Sequence, residues 1–123
     1  MKAVGLDIVA TERIHKALNR FGDRFARRIL GAEEWSIYTR RRDRAQFVAG
    51  RFAAKEAIIK ALGRFLTQRP AFGQIQVVND AGGQPEVVLP EEVLRKLTGH
   101  RCLVSITHEK TNSAAVAVIV EEP

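Results

Sequence analysis

Cysteine is almost missing from these 123 residues: Cys102 stands alone, which excludes an intrachain disulfide and fits a reducing interior. No cysteine and histidine group has the spacing of zinc ligands. No apolar run approaches the roughly 20 residues of a membrane span. The opening MKAVGLDIVA carries Asp7 inside a short apolar run and lacks a small-residue cleavage site, so it is not expected to be a secretory signal. A soluble, cytoplasmic protein is expected. Acidic residues are also in deficit, 14 Asp and Glu against 20 Lys and Arg, and the net +6 favours acidic partners without choosing among nucleic acid, phosphates, anionic lipid and acidic protein. With 46% hydrophobic residues, no internal repeat and no linker, residues 1–123 are expected to form a single domain.

What is present centres on Phe47 to Gly63, FVAGRFAAKEAIIKALG. Rich in alanine and ending on a glycine suited to a C-cap, it predicts a long helix. At 100° per residue Val48, Phe52, Ile59 and Leu62 form one apolar side and Phe47, Ala54, Ile58 and Ala61 another, so neighbours should cover most of it. Glu56 and Lys60 share a third sector bordered by Ala49, Ala53 and Ala57, and those small side chains predict open space beside the carboxylate. The competing reading is a Glu56–Lys60 i,i+4 ion pair, worth about 0.2–0.5 kcal/mol when exposed.

Lys2 to Val9 reads as a strand in which Gly5 permits close backbone approach, with Thr11 as N-cap of the following helix. A carboxylate in such a strand is costly to bury unless partnered, so Asp7 either caps a turn or serves as a ligand. From Thr11 to Leu30, Ile14, Leu18, Phe21, Phe25 and Ile29 recur at helical spacing, with Gly22 a point of breakage. Arg13, Lys16, Arg20, Arg24, Arg27 and Arg28 occupy other faces, with only Glu12 and Asp23 to neutralise them. This stripe is either a solvated face or a surface awaiting an anion.

Ala32 to Arg42 predicts a short helix packed through Trp35 and Tyr38, with Asp43 as a cap for the central helix. The stretch RFLTQRPAFG after Gly63 predicts a loop. Gln74–Val78 and Glu86–Leu89 flank Asn79-Asp80-Ala81-Gly82-Gly83 as a hairpin, and Pro90 starts a helix over Glu91–Thr98 that Gly99 stops. Arg101–Thr107 and Ala114–Glu121 form a second hairpin. The order β-α-α-α-β-β-α-β-β implies an α+β domain with a largely antiparallel sheet packed on the central helix. His108 ends a strand beside Ser105, Thr107 and Lys110, a set of phosphate-compatible donors that a surface turn would also contain.

Asp7 and Glu56 are the two carboxylates set in otherwise apolar, regular elements. Two hard oxygen ligands with the remaining positions left to water and substrate suit Mg²⁺. GLDIVATERI at 5–14, RFAAKEAIIKALG at 51–63 and SITHEKTNSAAVAV at 105–118 together resemble the holo-acyl-carrier-protein synthase family of 4′-phosphopantetheinyl transferases. The resemblance covers nearly the whole chain.

The resemblance implies that fold and a Mg²⁺-dependent transfer of 4′-phosphopantetheine from coenzyme A to a serine of apo-acyl-carrier protein, releasing adenosine 3′,5′-bisphosphate. It implies Asp7 and Glu56 as metal ligands, and Glu56, Lys60 and Asp7 as the catalytic set. Coenzyme contacts are expected at Arg51, Lys60, Gly63, Pro85, Ser105, Thr107 and His108. Acidic carrier protein is expected to dock on Arg13, Arg20, Arg24 and Arg28, with Phe25 as apolar anchor. A homotrimer with sites between subunits is also implied, with no nucleic-acid or membrane partner. Gly83-Gln84-Pro85 departs from the Gly-Lys-Pro of many relatives and lacks that lysine's charge. A small basic nucleic-acid-binding domain without catalysis is the alternative, but its aromatics are not interleaved with the basic residues.

Overall fold

Small residues decide how the layers of this protein meet. The structure, a computed structural model, describes residues 1–122. Strand β1 (Ala3–Ala10) leads into helices α1 (Thr11–Phe21), α2 (Asp23–Ile29), α3 (Ala32–Tyr38) and the 19-residue α4 (Arg44–Leu62). After a 3₁₀ turn at Phe72–Gln74 come β2 (Gln76–Asn79), β3 (Pro85–Val88), α5 (Glu91–Lys96), β4 (His100–His108) and β5 (Asn112–Glu121). The main sheet is antiparallel in the order β1-β5-β4, and β2-β3 forms a separate hairpin. This is the expected α+β arrangement, with α4 lying across the inner face of the main sheet.

Along β1, Ala3, Gly5 and Val9 are buried while Val4, Leu6 and Ile8 are exposed, the period-two alternation of a sheet covered on one side. Gly5 lies hard against α4: a Cβ there would stand 1.9 Å from the Ala57 carbonyl oxygen. Ala49, Ala53, Ala57 and Ala61 are fully buried. The open space expected beside Glu56 is therefore filled. Small residues on the helix allow a whole strand to approach rather than a ligand.

Several helix ends differ from the sequence reading. Gly22, at φ +61, breaks the first helical segment as expected, but the break resets the phase, so Phe21 is half exposed instead of continuing the apolar stripe. Thr11 is the first residue of α1 and not its cap; its hydroxyl oxygen is buried without a partner among the described residues. Asp43 does precede α4, yet its carboxylate accepts two bonds from Arg41 instead of capping the helix. Gly63 ends α4 at φ −56, a right-handed conformation that does not require glycine.

Glu34 is a third carboxylate in a regular element, and it is more deeply buried than Asp7 or Glu56. It accepts from Lys55 Nζ at 2.5 Å, from the Gly31 N–H at 2.8 Å and from the Val77 N–H at 2.9 Å. Lys55, also fully buried, donates to the carbonyls of Ile29 and Phe72. Arg51 reinforces the group, with Nε 4.0 Å from Glu34 and donating to the Val77 carbonyl. One ionic cluster thus ties α2, α3, α4, the 3₁₀ turn and β2 together. Burial pulls the Lys55 ammonium below its ordinary pKa, with Glu34 opposing that fall. Removing one member of such a pair strands the other charge. Lys55→Met should destabilise the protein by about 3–5 kcal/mol in urea denaturation, and adding Glu34→Gln should recover part of the loss. A Lys55→Met cost below about 1 kcal/mol would show that the cluster does not hold the elements together.

Candidate active site

Inward alternation on β1 aims Asp7 at α4, two positions beyond the Gly5 contact. Lys60 of α4 reaches it: Nζ lies 3.2 Å from Asp7 Oδ1 and donates to the Leu6 carbonyl at 2.9 Å. Glu56 stands one helical turn before Lys60 on the same stripe, where Cβ atoms are about 5–6 Å apart. Its Oε1 accepts from Arg69 Nη2 at 2.6 Å, across from the loop that follows α4. The Glu56–Lys60 pair of the competing reading is absent from the ion pairs of the described residues, because each partner finds another on a different element. Side-chain exposure is 17% for Asp7 and 22% for Glu56, against 52% for Lys60 and 59% for Arg69. The carboxylates are recessed and cations reach them from the solvent side.

Aromatic rings line the approach. The Arg13 guanidinium sits 5.4 Å from the Phe52 centroid, the Phe52 and Phe72 rings are 5.5 Å apart, and Arg69 lies 5.5 Å from Phe72. Arg13 is thereby connected to the carboxylates through contacts within one chain. Arg20, Arg24 and Arg28 are exposed, and Phe25 is half buried against the core. Phe21, one of the apolar residues that recur at helical spacing, is the exposed aromatic of this region, with Arg20 over its ring at 5.2 Å.

The remaining expected site residues are dispersed. His108 packs on Gly50, where a Cβ would stand 2.5 Å from its Cε1, and its Nδ1 shares a 2.8 Å hydrogen bond with Ser113 Oγ. Gly50 precedes Glu56 by about 9 Å along the helix axis, so His108 does not join the carboxylates. Burial, with the nearby Arg51 charge, lowers the His108 pKa below its ordinary 6.5. Ser105 and Thr107 lie opposite Val116 and Ala114 and point to the exposed sheet face, away from His108. Arg51, expected to contact coenzyme, has its side chain buried over the Phe47 ring within the Glu34 cluster. Gly63 closes the helix three residues past Lys60. Pro85 opens β3 in the separate hairpin, beyond a turn that Asp80 stabilises by accepting from the Gly82 and Gln84 N–H groups.

Among the described residues no three Asp, Glu, His or Cys side chains group as metal ligands. The donor set here is the two carboxylates, both already turned toward positive charge. Hard oxygens in that number fit a cation that keeps several of its own waters.

Residues 3–119 match the family described as the 4′-phosphopantetheinyl transferase superfamily. The chain belongs to that superfamily. It is 39% identical over 120 residues to a holo-[acyl-carrier-protein] synthase of Chlorobium limicola, covering 98% of this chain and 94% of that one. To the enzyme of that name from Klebsiella pneumoniae it is 40% identical over 120 residues, covering 96% and 95%. Its fold is similar to the crystal structure of the Neisseria meningitidis synthase, with a TM-score of 0.89, 32% identity, and 98% and 99% of the two chains covered. The Helicobacter pylori synthase, solved in complex with coenzyme A, aligns with a TM-score of 0.82 at 29% identity over 95% and 99%. Within this fold Lys60 reaches Asp7, and Glu56 stands one turn before Lys60 on α4. Sequence reasoning missed Arg69, Glu34 and Lys55. Arg69 lies in a stretch without periodicity, and nothing local distinguishes it from the other arginines.

Proposed function

We propose that this chain transfers the 4′-phosphopantetheine group of coenzyme A to a serine of an apo-acyl-carrier protein. The observation that supports the reading best is the recessed pair Asp7 and Glu56, flanked by Lys60, on the motifs that carry the family resemblance. Asp7 and Glu56 would hold Mg²⁺, which supplies Lewis-acid neutralisation of the coenzyme diphosphate. Glu56, directly or through one water, takes the proton of the carrier serine hydroxyl. The serine oxygen forms a bond to the β-phosphorus as the bond to adenosine 3′,5′-bisphosphate breaks, and the electron pair leaves with that product. Lys60, held by the Leu6 carbonyl and Asp7, stabilises charge on the phosphates.

Incubation with apo-carrier protein, coenzyme A and Mg²⁺ should add a single phosphopantetheine mass to the carrier. Glu56→Gln should lower kcat by about 10²–10⁴-fold. A Glu56→Gln variant with near-normal kcat would remove Glu56 from both roles.

Docking is assigned to Arg13, Arg20, Arg24 and Arg28, whose exposed guanidinium groups suit an acidic partner, with Phe25 beside them. Such contacts act mainly on association and are screened by salt. Arg13→Glu with Arg24→Glu should raise KM for the carrier about tenfold or more at low salt and much less at high salt. An unchanged KM at low salt would move docking elsewhere.

A homotrimer is supported by the outer sheet face. Val4, Leu6 and Ile8 are 54%, 66% and 66% exposed, and Leu103 and Val116 extend the patch across the sheet. Ser105 and Thr107 project from this same face, so a second copy seated on it would adjoin them. Leu6→Glu should shift the light-scattering mass to that of a monomer. Retention of a trimer by this variant would rule the face out as the interface.

A further inference from the structure

Arg69 is absent from the motifs and from the transfer steps above, yet it makes the closest polar contact to Glu56. Two fixed features aim it: the Glu56 carboxylate at 2.6 Å and the Phe72 ring at 5.5 Å. Phe72 is itself held, its carbonyl accepting from buried Lys55 at 3.0 Å and its ring against Phe52. The segment carrying Arg69 is tethered differently. Leu66 donates to Leu62 and Ala71 accepts from Gln74, but Thr67 to Pro70 make no backbone hydrogen bonds among the described residues. Such a stretch opens at low cost.

Charge gives this arrangement a consequence. Asp7 and Glu56 bear two negative charges, and Lys60 and Arg69 bring two positive ones. A divalent cation arriving beside them leaves an excess of two positive charges unless a basic group withdraws. Lys60 sits on a helix and is held by the Leu6 carbonyl as well as Asp7, whereas Arg69 is 59% exposed on a loosely tethered loop. A guanidinium cannot relieve the conflict by losing its proton.

We propose that Arg69 is a resident counter-cation of the active site, holding Glu56 and competing with a divalent metal for it, so that it sets the metal affinity. The inference rests on the reading of Asp7 and Glu56 as metal ligands. Binding of metal frees the guanidinium, and the loop from Thr67 to Pro70 moves with it.

Mn²⁺ binding to the protein without coenzyme or carrier, followed by electron paramagnetic resonance, tests this apart from turnover. Arg69→Gln should tighten Mn²⁺ binding by about 3–10-fold, and Arg69→Lys should stay closer to the native value. Unchanged or weaker binding by folded Arg69→Gln overturns the proposal. Asp7→Asn separates the two levels: if it binds Mn²⁺ as the native protein does, the metal reading itself fails. Hydrogen exchange over residues 64–72 is a second readout. Exchange in the native protein should rise on adding Mg²⁺ and stay unchanged in Arg69→Gln; a loop indifferent to Mg²⁺ in the native protein, with metal shown to bind, also overturns the proposal.

Discussion

The contact between the backbone of β1 and that of α4 is the constraint from which the site follows. It exists because Gly5 has no Cβ and because the facing helix surface is alanine, so the strand can lie on the helix with the Ala57 carbonyl almost touching it. Close-packed interiors admit little adjustment, and a strand moved outward by one methyl group would carry Asp7 with it. The reach of Lys60 to both Leu6 and Asp7 is thus set by packing two residues away. The geometry of the carboxylates is a consequence of the core.

Lys55 and Glu56 are neighbours in sequence with opposite fates. At 100° per residue Lys55 turns into the protein, where Glu34 and two carbonyls satisfy it, while Glu56 stays at the edge and meets Arg69. A buried ion pair is expensive in desolvation and contributes to stability only if its hydrogen bonds are complete. Here they are: each Glu34 oxygen accepts from a backbone N–H as well as facing a cation. The same cluster fixes the carbonyl of Phe72, whose ring supports Arg69. The buried ion pair of Lys55 and the exposed-edge pair of Glu56 therefore share one helix turn without competing.

Much of this was legible in the sequence. Runs rich in β-branched residues located β1, β4 and β5, and the alanine-rich stretch located α4, because those signals are local. Asp7 and Glu56 stood out because carboxylates in apolar segments need a reason. The meaning of the alanines was not legible: small residues permit close approach by a ligand or by a strand, and only tertiary structure shows that β1 took the space. Glu34 escaped notice because it follows Glu33 in a short polar segment that looks solvated, although it helps hold the Gly31 end of α3 and lies at 0% exposure. Phe21 leaves the apolar stripe because its helical phase ends at Gly22.

Alternation also explains why one copy of the chain presents an incomplete set of expected coenzyme contacts. On β4, His108 turns inward to Gly50 while Ser105 and Thr107 turn outward, and on β1 Asp7 turns inward while Leu6 and Ile8 turn outward. No rotation of a strand brings both sets to one side, since a one-residue slip exchanges the faces and would expose the core. Residues that adjoin in the motif SITH therefore lie on opposite sides of the sheet. The outer face that carries Ser105 and Thr107 is apolar, with Leu6 and Ile8 each 66% exposed, whereas the inner face that carries Asp7 and His108 packs on α4.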